Sequence, residues 1–276
     1  MNNLNALTNT MTKIAIFGAG GRMGAALIQA LKAYPALKLV AAVEQGGHAG
    51  QGLDSATFAG AGVNGVPISA DADAAAKAAD VIIDFTFHSV VPSVARLAAK
   101  YKKAYVLGTT GLSAEELVAV KEAAMVAPVM MAPNFSVGVN LLLELVKKAA
   151  AVLNEGYDCE IVEMHHKHKK DAPSGTALAL AKAAAAGRGA DFATVACYGR
   201  EGMTGERKPG EIAIHALRGG DVVGDHTVMF AADGERVEIT HKASNRGCLA
   251  NGALRAAAWI HGQAPGFKTM KDVLSL

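Results

Sequence analysis

Short apolar runs rich in Val, Ile and Leu alternate with longer Ala-rich segments of helical period through the first half of the chain. The apolar runs predict strands at Thr12–Phe17, Leu37–Glu44, Val81–Asp84, Ala104–Leu107 and Val129–Met131. The segments between them predict helices at Arg22–Ala33, Asp71–Ala78, Val90–Tyr101 and Ala114–Ala124. Near-continuous apolar strands separated by helices are typical of a parallel sheet covered on both faces, so we expect a doubly wound α/β fold.

The pattern changes after Pro133. A helix, a strand and a second helix are predicted first, at Val139–Leu153, Cys159–His166 and Gly175–Ala186. Three strand-like stretches follow without helices between them, at Ile212–Leu217, Val222–Phe230 and Arg236–Ala243. Consecutive strands predict an open mixed or antiparallel sheet, and hence a second, α+β domain. The last predicted helix, Leu249–Ile260, could belong to either domain.

Composition and charge narrow the class of protein. The 276 residues are 51% apolar and 19% charged, which is typical of a globular chain of one or two domains. A formal net charge of +2 gives no reason to expect a nucleic-acid partner, and no run approaches the roughly 20 apolar residues that cross a bilayer. Residues 1–10 lack the basic start and apolar stretch of a signal peptide, and the three cysteines are scattered. We therefore expect a soluble cytoplasmic protein with no membrane partner.

A glycine-rich run follows the first predicted strand and opens the first helix. It consists of Gly18, Ala19, Gly20, Gly21, Arg22, Met23 and Gly24. Its spacing is G-x-x-G-x-x-G rather than the standard dinucleotide fingerprint, and Glu44 lies 20 residues further on, where a carboxylate can accept hydrogen bonds from ribose hydroxyls. An ordinary glycine-rich turn with a solvated Glu is the alternative. Strand, turn, helix and acid together favour a Rossmann-like dinucleotide site.

The residues around Glu44 bear on the choice of dinucleotide. Glu44 should repel the 2′-phosphate of NADPH, Arg22 could reach that phosphate, and Gln45 adds no charge. We expect NADH to be favoured and NADPH to be accepted as well.

The most informative segment runs from Glu163 to Thr176, where three histidines and three lysines occupy six consecutive positions at a strand end. If the strand continues, alternation places His165 and Lys169 on one face, where both can address one ligand. Ser174, Gly175 and Thr176 then open an Ala-rich helix whose first N–H groups can bind a carboxylate. The segment therefore predicts a site for a small dicarboxylate substrate.

Three other interpretations of this segment stay open. The basic run could be a solvated edge, and closely spaced histidines could bind zinc. Adjacent histidines point to opposite faces of a strand, however, and no Cys or spaced His pair completes a tetrahedral set, so we expect no metal. Ser174 could also be a simple helix N-cap, which is compatible with carboxylate binding.

With these residues in view, the chain resembles the dihydrodipicolinate reductase family from Lys13 to Leu274. The motifs that carry the resemblance are Gly18–Gly24, Asp84-Phe85-Thr86, Gly108-Thr109-Thr110-Gly111, Pro133-Asn134-Phe135-Ser136-Val137-Gly138, His165–Thr176 and Ile239-Thr240-His241-Lys242-Ala243-Ser244. The stretch from Glu163 through the Ser-Gly-Thr sequence is highly specific to that family.

The resemblance implies NAD(P)H-dependent reduction of 4-hydroxy-tetrahydrodipicolinate, through dihydrodipicolinate, in the diaminopimelate route to lysine. It implies that His165 is the general acid, that Lys169 is its partnering proton donor, and that His166, Gly175 and Thr176 contact the substrate. The cofactor contacts that it implies are Gly18 to Met23, Glu44, Gly108, Thr109, Thr110, Ala132, Pro133, Asn134 and Phe135. It further implies a homotetramer, with residues 1–135 and 246–276 binding the dinucleotide and residues 136–245 binding substrate and forming the tetramer.

Two positions depart from the pattern of family members that use both cofactors readily. Those members often carry Arg where this chain has Gln45, and some carry Arg where it has Phe87. Both differences remove positive charge near the adenosine end, which again favours NADH.

Overall fold

The computed structural model describes residues 11–276, so the expectations about residues 1–10 lie outside it. The strands are β1 (Thr12–Phe17), β2 (Leu37–Val43), β3 (Ile68–Ser69), β4 (Val81–Asp84), β5 (Ala104–Leu107), β6 (Pro128–Met131), β7 (Asp158–His165), β8 (Ala196–Tyr198), β9 (Ile212–Arg218), β10 (Gly224–Ala232), β11 (Glu235–Ala243) and β12 (Gly266–Lys268). The α-helices are α1 (Arg22–Ala30), α2 (Ser55–Phe58), α3 (Ala72–Ala78), α4 (Val91–Tyr101), α5 (Ala114–Val126), α6 (Val137–Val152), α7 (Gly175–Gly187), α8 (Phe192–Val195), α9 (Gly247–Ile260) and α10 (Met270–Leu274). Within residues 11–276, no helix has the length and apolar character needed to cross a membrane.

The chain forms two compact units. Unit 1 contains residues 11–136 and 249–275, and unit 2 contains residues 137–248.

Unit 1 is built on a seven-stranded sheet in the order β12-β6-β5-β4-β1-β2-β3, in which every neighbouring pair is parallel. The central strand β1 shows why both faces are covered. Ile14 and Ile16 join a core formed with α1 and α9, whereas Ala15 and Phe17 join a second core formed with α4 and α5. Because successive side chains of a strand point to opposite faces, one apolar strand serves both layers. The predicted doubly wound sheet is confirmed.

Unit 2 contains a mixed five-stranded sheet in the order β11-β10-β7-β9-β8. The pairs of β10 with β7 and with β11 are antiparallel, and those of β9 with β7 and with β8 are parallel. Alternate residues of β7, such as Cys159 and Ile161, are buried with Leu180 of α7. The predicted α+β unit with an open mixed sheet is confirmed.

Several short elements were not predicted from the sequence. They are β3, β8, β12, α2, α8 and α10, each of two to five residues. Such segments are too short to display a hydrophobic period, and their pairing depends on strands distant in sequence. Strand β7 also ends at His165, opposite Arg218, the last residue of its neighbour β9. Beyond His165 the chain leaves the strand, although the Gly219 amide still donates to the His165 carbonyl at 2.9 Å and the Lys167 amide donates to the Gly220 carbonyl at 3.2 Å.

Candidate active site

The glycine turn of unit 1 is required by close backbone packing. Gly18 has a φ of +80°, and a Cβ there would lie 2.8 Å from the carbonyl oxygen of Phe85. A Cβ on Gly24 would lie 2.3 Å from the carbonyl oxygen of Gly18. The first and last glycines of the predicted motif therefore allow the turn to form and α1 to approach β1.

The N-terminus of α1 is the part of this turn suited to a phosphate group. The Gly18 and Ala19 amides donate to the Val43 carbonyl, and the Gly20 amide donates to Glu44 Oε2 at 3.0 Å. Helix α1 then begins at Arg22, with Gly21 at the N-cap and no side-chain cap. A helix start without a side-chain cap presents N–H groups and positive dipole to an anion.

Two cavities lie along the carboxyl edge of the sheet in unit 1. One has a volume of about 470 Å³, and its lining includes Gly18, Gly20, Gly21, Glu44, Gln45, Thr86 and Phe87. The other has a volume of about 320 Å³, and its lining includes Thr109, Thr110, Met131, Ala132 and Pro133. The sequence-predicted cofactor residues thus cluster at the edge where doubly wound sheets bind ligands, and this lining fits a dinucleotide.

The loops after β4 and β5 are fixed to each other around a buried acid. Asp84 accepts hydrogen bonds from the Tyr105 hydroxyl at 2.6 Å and from the Thr86 amide and hydroxyl at 2.8 and 2.7 Å. Burial raises the pKa of Asp84 despite these bonds. Thr109 donates to the Thr86 carbonyl at 2.9 Å, and Gly108 leaves room for the ring of Phe85, which a Cβ would approach to 2.1 Å.

Asn134 and Phe135 follow β6 and lie at the same carboxyl edge of the sheet. The Asn134 side chain accepts from the Ser136 amide at 2.8 Å. The Phe135 ring is buried and lies 5.8 Å from the Phe85 ring, centroid to centroid. The predicted segment from Ala132 to Phe135 is therefore packed against the loop that follows β4.

In unit 2, the strand ends at His165, so the condition under which alternation would place His165 and Lys169 on one face is not met. The chain turns instead, and the Lys169 amide donates to the His166 carbonyl at 3.1 Å. The Lys169 ammonium donates to both oxygens of Asp171 at 2.8 and 2.9 Å. Its charge still helps to lower the pKa of both His166 and His226, so the turn keeps the ammonium within electrostatic range of the histidines.

Glu163 lies at the centre of this group of residues, and its side chain is fully buried. It accepts from His165 Nδ1 at 2.6 Å, from the Ser174 amide at 2.9 Å, and from the Arg218 guanidinium at 2.8 and 3.0 Å. Burial opposes its ionisation, but these donors, Arg218 foremost, lower the pKa of the carboxyl group. Glu163 thereby links the His165 side chain by hydrogen bonds to Ser174, the residue that precedes α7.

The N-terminus of α7 is shaped by its cap. The Ser174 hydroxyl accepts from the Ala177 amide at 3.2 Å and lies 3.1 Å from His226 Nε2. Burial, reinforced by the positive charge of His165, lowers the pKa of His226 to about 4, so this ring is neutral near pH 7. Gly175 is exposed, and a Cβ there would meet no atom within 4 Å. The hydroxyl of Ser174 thus holds the helix start, and open space lies where a side chain at Gly175 would be.

Partial burial lowers the pKa of His166, and the charges of His168, Arg246, His165 and Lys169 lower it further. The region around His166 therefore has a positive electrostatic potential that suits an anionic ligand. Within residues 11–276, no group of three or more His, Cys, Asp or Glu side chains has the geometry to hold a metal ion.

Sequence reasoning missed Glu163, Arg218, His226, Gly224 and Arg246. Glu163 could have been found, because it lies two residues before His165 in a predicted strand and so shares its face. Arg218 joins the site through the register of β9 against β7, which no local pattern reveals. Gly224 begins β10, and a Cβ there would lie 3.0 Å from His165 Nε2.

Comparisons with known proteins agree over nearly all of the described residues. Residues 12–135 match the family model described as dihydrodipicolinate reductase, N-terminus, and residues 138–274 match its C-terminus model. The 4-hydroxy-tetrahydrodipicolinate reductase of Anaeromyxobacter dehalogenans is 49% identical over 266 residues, covering 96% of this chain and 98% of the relative. That of Thiobacillus denitrificans is 49% identical over 264 residues, with shares of 96% and 98%.

Solved structures show the same fold. The dipicolinate-bound dihydrodipicolinate reductase of Paenisporosarcina sp. TG-14 has a TM-score of 0.74 at 24% identity, covering 94% of this chain and 98% of that one. An amine dehydrogenase from Mycobacterium smegmatis has a TM-score of 0.57 at 12% identity, covering 95% and 96%.

Proposed function

This chain belongs to the dihydrodipicolinate reductase family, and we propose which of its residues perform each part of the family's reaction. That reaction is the NAD(P)H-dependent reduction of 4-hydroxy-tetrahydrodipicolinate in lysine biosynthesis. Residues 1–135 with 246–276 bind the cofactor, and residues 136–245 bind the substrate. The observation that carries the proposal is the carboxylate of Glu163, which binds both His165 Nδ1 and the amide of Ser174 at the start of α7.

The substrate carries two carboxylates, and unit 2 offers two kinds of group for them. The N–H groups of Gly175 and Thr176 at the start of α7 bind one carboxylate, and Ser174 holds this helix start in place through its cap. The Lys169 ammonium and His166 supply positive charge and a ring donor for the remaining anionic oxygens. Because the substrate oxygens replace water at fixed donors, they orient the ring for reaction.

When bound, NAD(P)H supplies the hydride. Reduction of a conjugated imine leaves an electron-rich enamine that must take a proton, and His165 donates that proton from Nε2. Its Nδ1 is bound to Glu163, so Nε2 is the ring nitrogen left for the substrate. Lys169 stabilises the anionic ligand beside it and is the partnering donor.

Gly175→Ala tests the carboxylate site at the start of α7. The added methyl meets no protein atom within 4 Å and no left-handed φ, so the fold should be unaffected. A carboxylate on the Gly175 and Thr176 amides would meet that methyl, and overpacking of about 1–3 kcal/mol corresponds to a substrate KM raised roughly 5- to 150-fold. Steady-state kinetics should show this rise with an unchanged KM for NADH, and the melting temperature should not fall, because alanine is a better helix former than glycine. An unchanged substrate KM would remove the helix start from the substrate site.

We propose that NADH is the preferred form of the cofactor and that NADPH is also used. Among the described residues, the lining of the cavity next to the glycine turn contains the carboxylate of Glu44 and no Lys or Arg. Gln45 and Phe87 also line this cavity and add no positive charge that could serve a 2′-phosphate. Residues Gly18 to Met23 would hold the pyrophosphate, and Gly108 to Thr110 and Ala132 to Phe135 would hold the nicotinamide end.

We also propose a homotetramer that assembles through the sheet of unit 2. One face of this sheet is covered by α6 and α7, while the other carries apolar side chains such as Val162, Met164, Leu217 and Met229 that are only partly buried in one chain. Leu217 is 49% exposed. Burial of this face in an assembly is favourable. Light scattering should give about four times the chain mass of 28.3 kDa, and a mass of one chain would contradict the proposal.

The proposed place of action is the cytoplasm, where the reduced cofactors are available. Cell fractionation that recovered the active enzyme outside the cytoplasm would contradict this.

A further inference from the structure

The carboxylate of Glu163 has all of its acceptor positions occupied. Oε1 accepts from Arg218 Nη2 and the Ser174 amide, and Oε2 accepts from Arg218 Nη1 and His165 Nδ1. An ionised carboxylate has about four lone-pair positions, so this group can neither rotate nor take another partner. Two elements fix it from different sides, since Arg218 ends β9 and Ser174 precedes α7.

The contact with His165 selects one arrangement of protons on its ring. A carboxylate with a lowered pKa is ionised at neutral pH and can only accept, so Nδ1 must carry the hydrogen. In the neutral ring, Nε2 is then the nitrogen with the free lone pair.

The other side of the ring is kept clear. Gly224 lies beside His165, and a Cβ at that position would lie 3.0 Å from Nε2. The His226 ring packs against the His165 ring in a T-shaped arrangement at 5.1 Å, and it is neutral near pH 7, so it adds no charge to this side. Nδ1 is thus bound and Nε2 has room for a ligand.

We propose that Glu163, held by Arg218, is a positioning residue that fixes the Nδ1–H form of His165 and so makes Nε2 the atom that exchanges the proton. This inference rests on the proposed function of His165. In the proton step, the Nε2–H bond of the imidazolium breaks, and the electron pair of the enamine forms the new bond to that hydrogen. The imidazolium becomes neutral imidazole, and its Nδ1–H bond to Glu163 remains intact.

The first test uses the wild-type enzyme and needs no turnover. The protein contains nine histidines, so His165 is assigned in ¹⁵N-histidine-labelled protein by the signal that is missing from His165→Ala. We expect neutral His165 to show a protonated Nδ1 and an unprotonated Nε2. A predominant Nε2–H form would overturn the proposal, whatever the enzyme's activity.

The second test compares Glu163→Gln with a matched control, Glu160→Gln. Glu160 lies on the same strand and is also bound by arginines, Arg200 and Arg207, and by a histidine ring, His215 at 2.7 Å, but the structure gives it no bond to His165. Glu163→Gln should lose the Nδ1–H signature and lower kcat roughly 100-fold with the KM for NADH unchanged. Without the carboxylate, the neutral His165 ring would be a mixture of Nδ1–H and Nε2–H tautomers, and only the first leaves Nε2 free to exchange the proton. Glu160→Gln should keep both the signature and kcat.

The outcomes separate this proposal from the proposed function. If Glu163→Gln loses the Nδ1–H signature and keeps wild-type kcat, the positioning role is wrong while the function stands. If wild-type enzyme itself does not turn over the substrate, the proposed function fails and the ring measurement still decides the role of Glu163. If Glu163→Gln does not fold, Arg218→Lys, which retains the charge but loses the paired donors, should weaken the signature and kcat together. An unchanged signature and kcat in that variant would overturn the role of Arg218.

Discussion

Replacing His165 with Ala should lower kcat by roughly 10²- to 10⁴-fold, the usual contribution of a positioned general acid. The side chain is 11% exposed and bonds to Glu163 through Nδ1, so its removal deletes the proton donor and leaves the backbone of β7 in place. NADH affinity should not change, because the residues proposed to hold the cofactor belong to unit 1. Stopped-flow measurement of single turnovers, with NADH binding measured separately by fluorescence, gives both quantities.

His168→Ala is the matched control for this prediction. His168 lies three residues away in the same basic segment and is exposed, so its loss should change kcat by no more than about twofold. Equal losses of kcat and NADH affinity in His165→Ala would contradict its role as the proton donor.

Gly24→Ala should abolish most of the NADH affinity. Alanine gains about 1 kcal/mol of helix propensity over glycine, but a Cβ at this position would lie 2.3 Å from the Gly18 carbonyl oxygen and 2.6 Å from two backbone atoms of Ala19. Backbone atoms cannot rotate away, so the clash costs about 1–3 kcal/mol or more and opens the turn. We expect NADH to bind at least tenfold more weakly, measured by calorimetric titration, and the protein to melt at a lower temperature.

Ala26→Gly separates loss of the turn from general weakening of α1. It removes about 1 kcal/mol of helix propensity two residues further along the same helix without adding an atom to the turn. The control should melt earlier and bind NADH with nearly wild-type affinity. Wild-type affinity in Gly24→Ala would contradict the placement of the pyrophosphate at this turn.

The sequence predicted the parallel sheet of unit 1 well because its strands are buried on both faces. The limits of β1, β4 and β5 agree with the expected ranges, since each is a short apolar run bounded by turn residues or a helix start. The pattern could not reveal β12, which has three residues and is placed only by pairing with β6. The hydrophobic period predicts an element that is long enough to bury one face. It does not predict a short strand that forms only because it pairs with a strand distant in sequence.

The site was predicted where its residues are adjacent in sequence and missed where the sheet assembles them. The glycine turn and the start of α7 are local motifs, each read from consecutive residues. Arg218 lies 55 residues from Glu163 and reaches it only because β9 pairs with β7. The course of the chain after His165 was likewise not visible in the sequence, because a turn in which the Lys169 amide donates to the His166 carbonyl replaces the strand there.

The most direct test of this account is the oxidation of NADH and NADPH by the purified protein with freshly generated 4-hydroxy-tetrahydrodipicolinate, followed by nicotinamide absorbance. The account predicts rapid oxidation of both cofactors, a higher kcat/KM for NADH, and inhibition by pyridine-2,6-dicarboxylate, a planar mimic with the same two carboxylates. A higher kcat/KM for NADPH would contradict the interpretation of Glu44, Gln45 and Phe87. No oxidation of either cofactor by folded protein that binds NADH would contradict the substrate site built around His165 and α7.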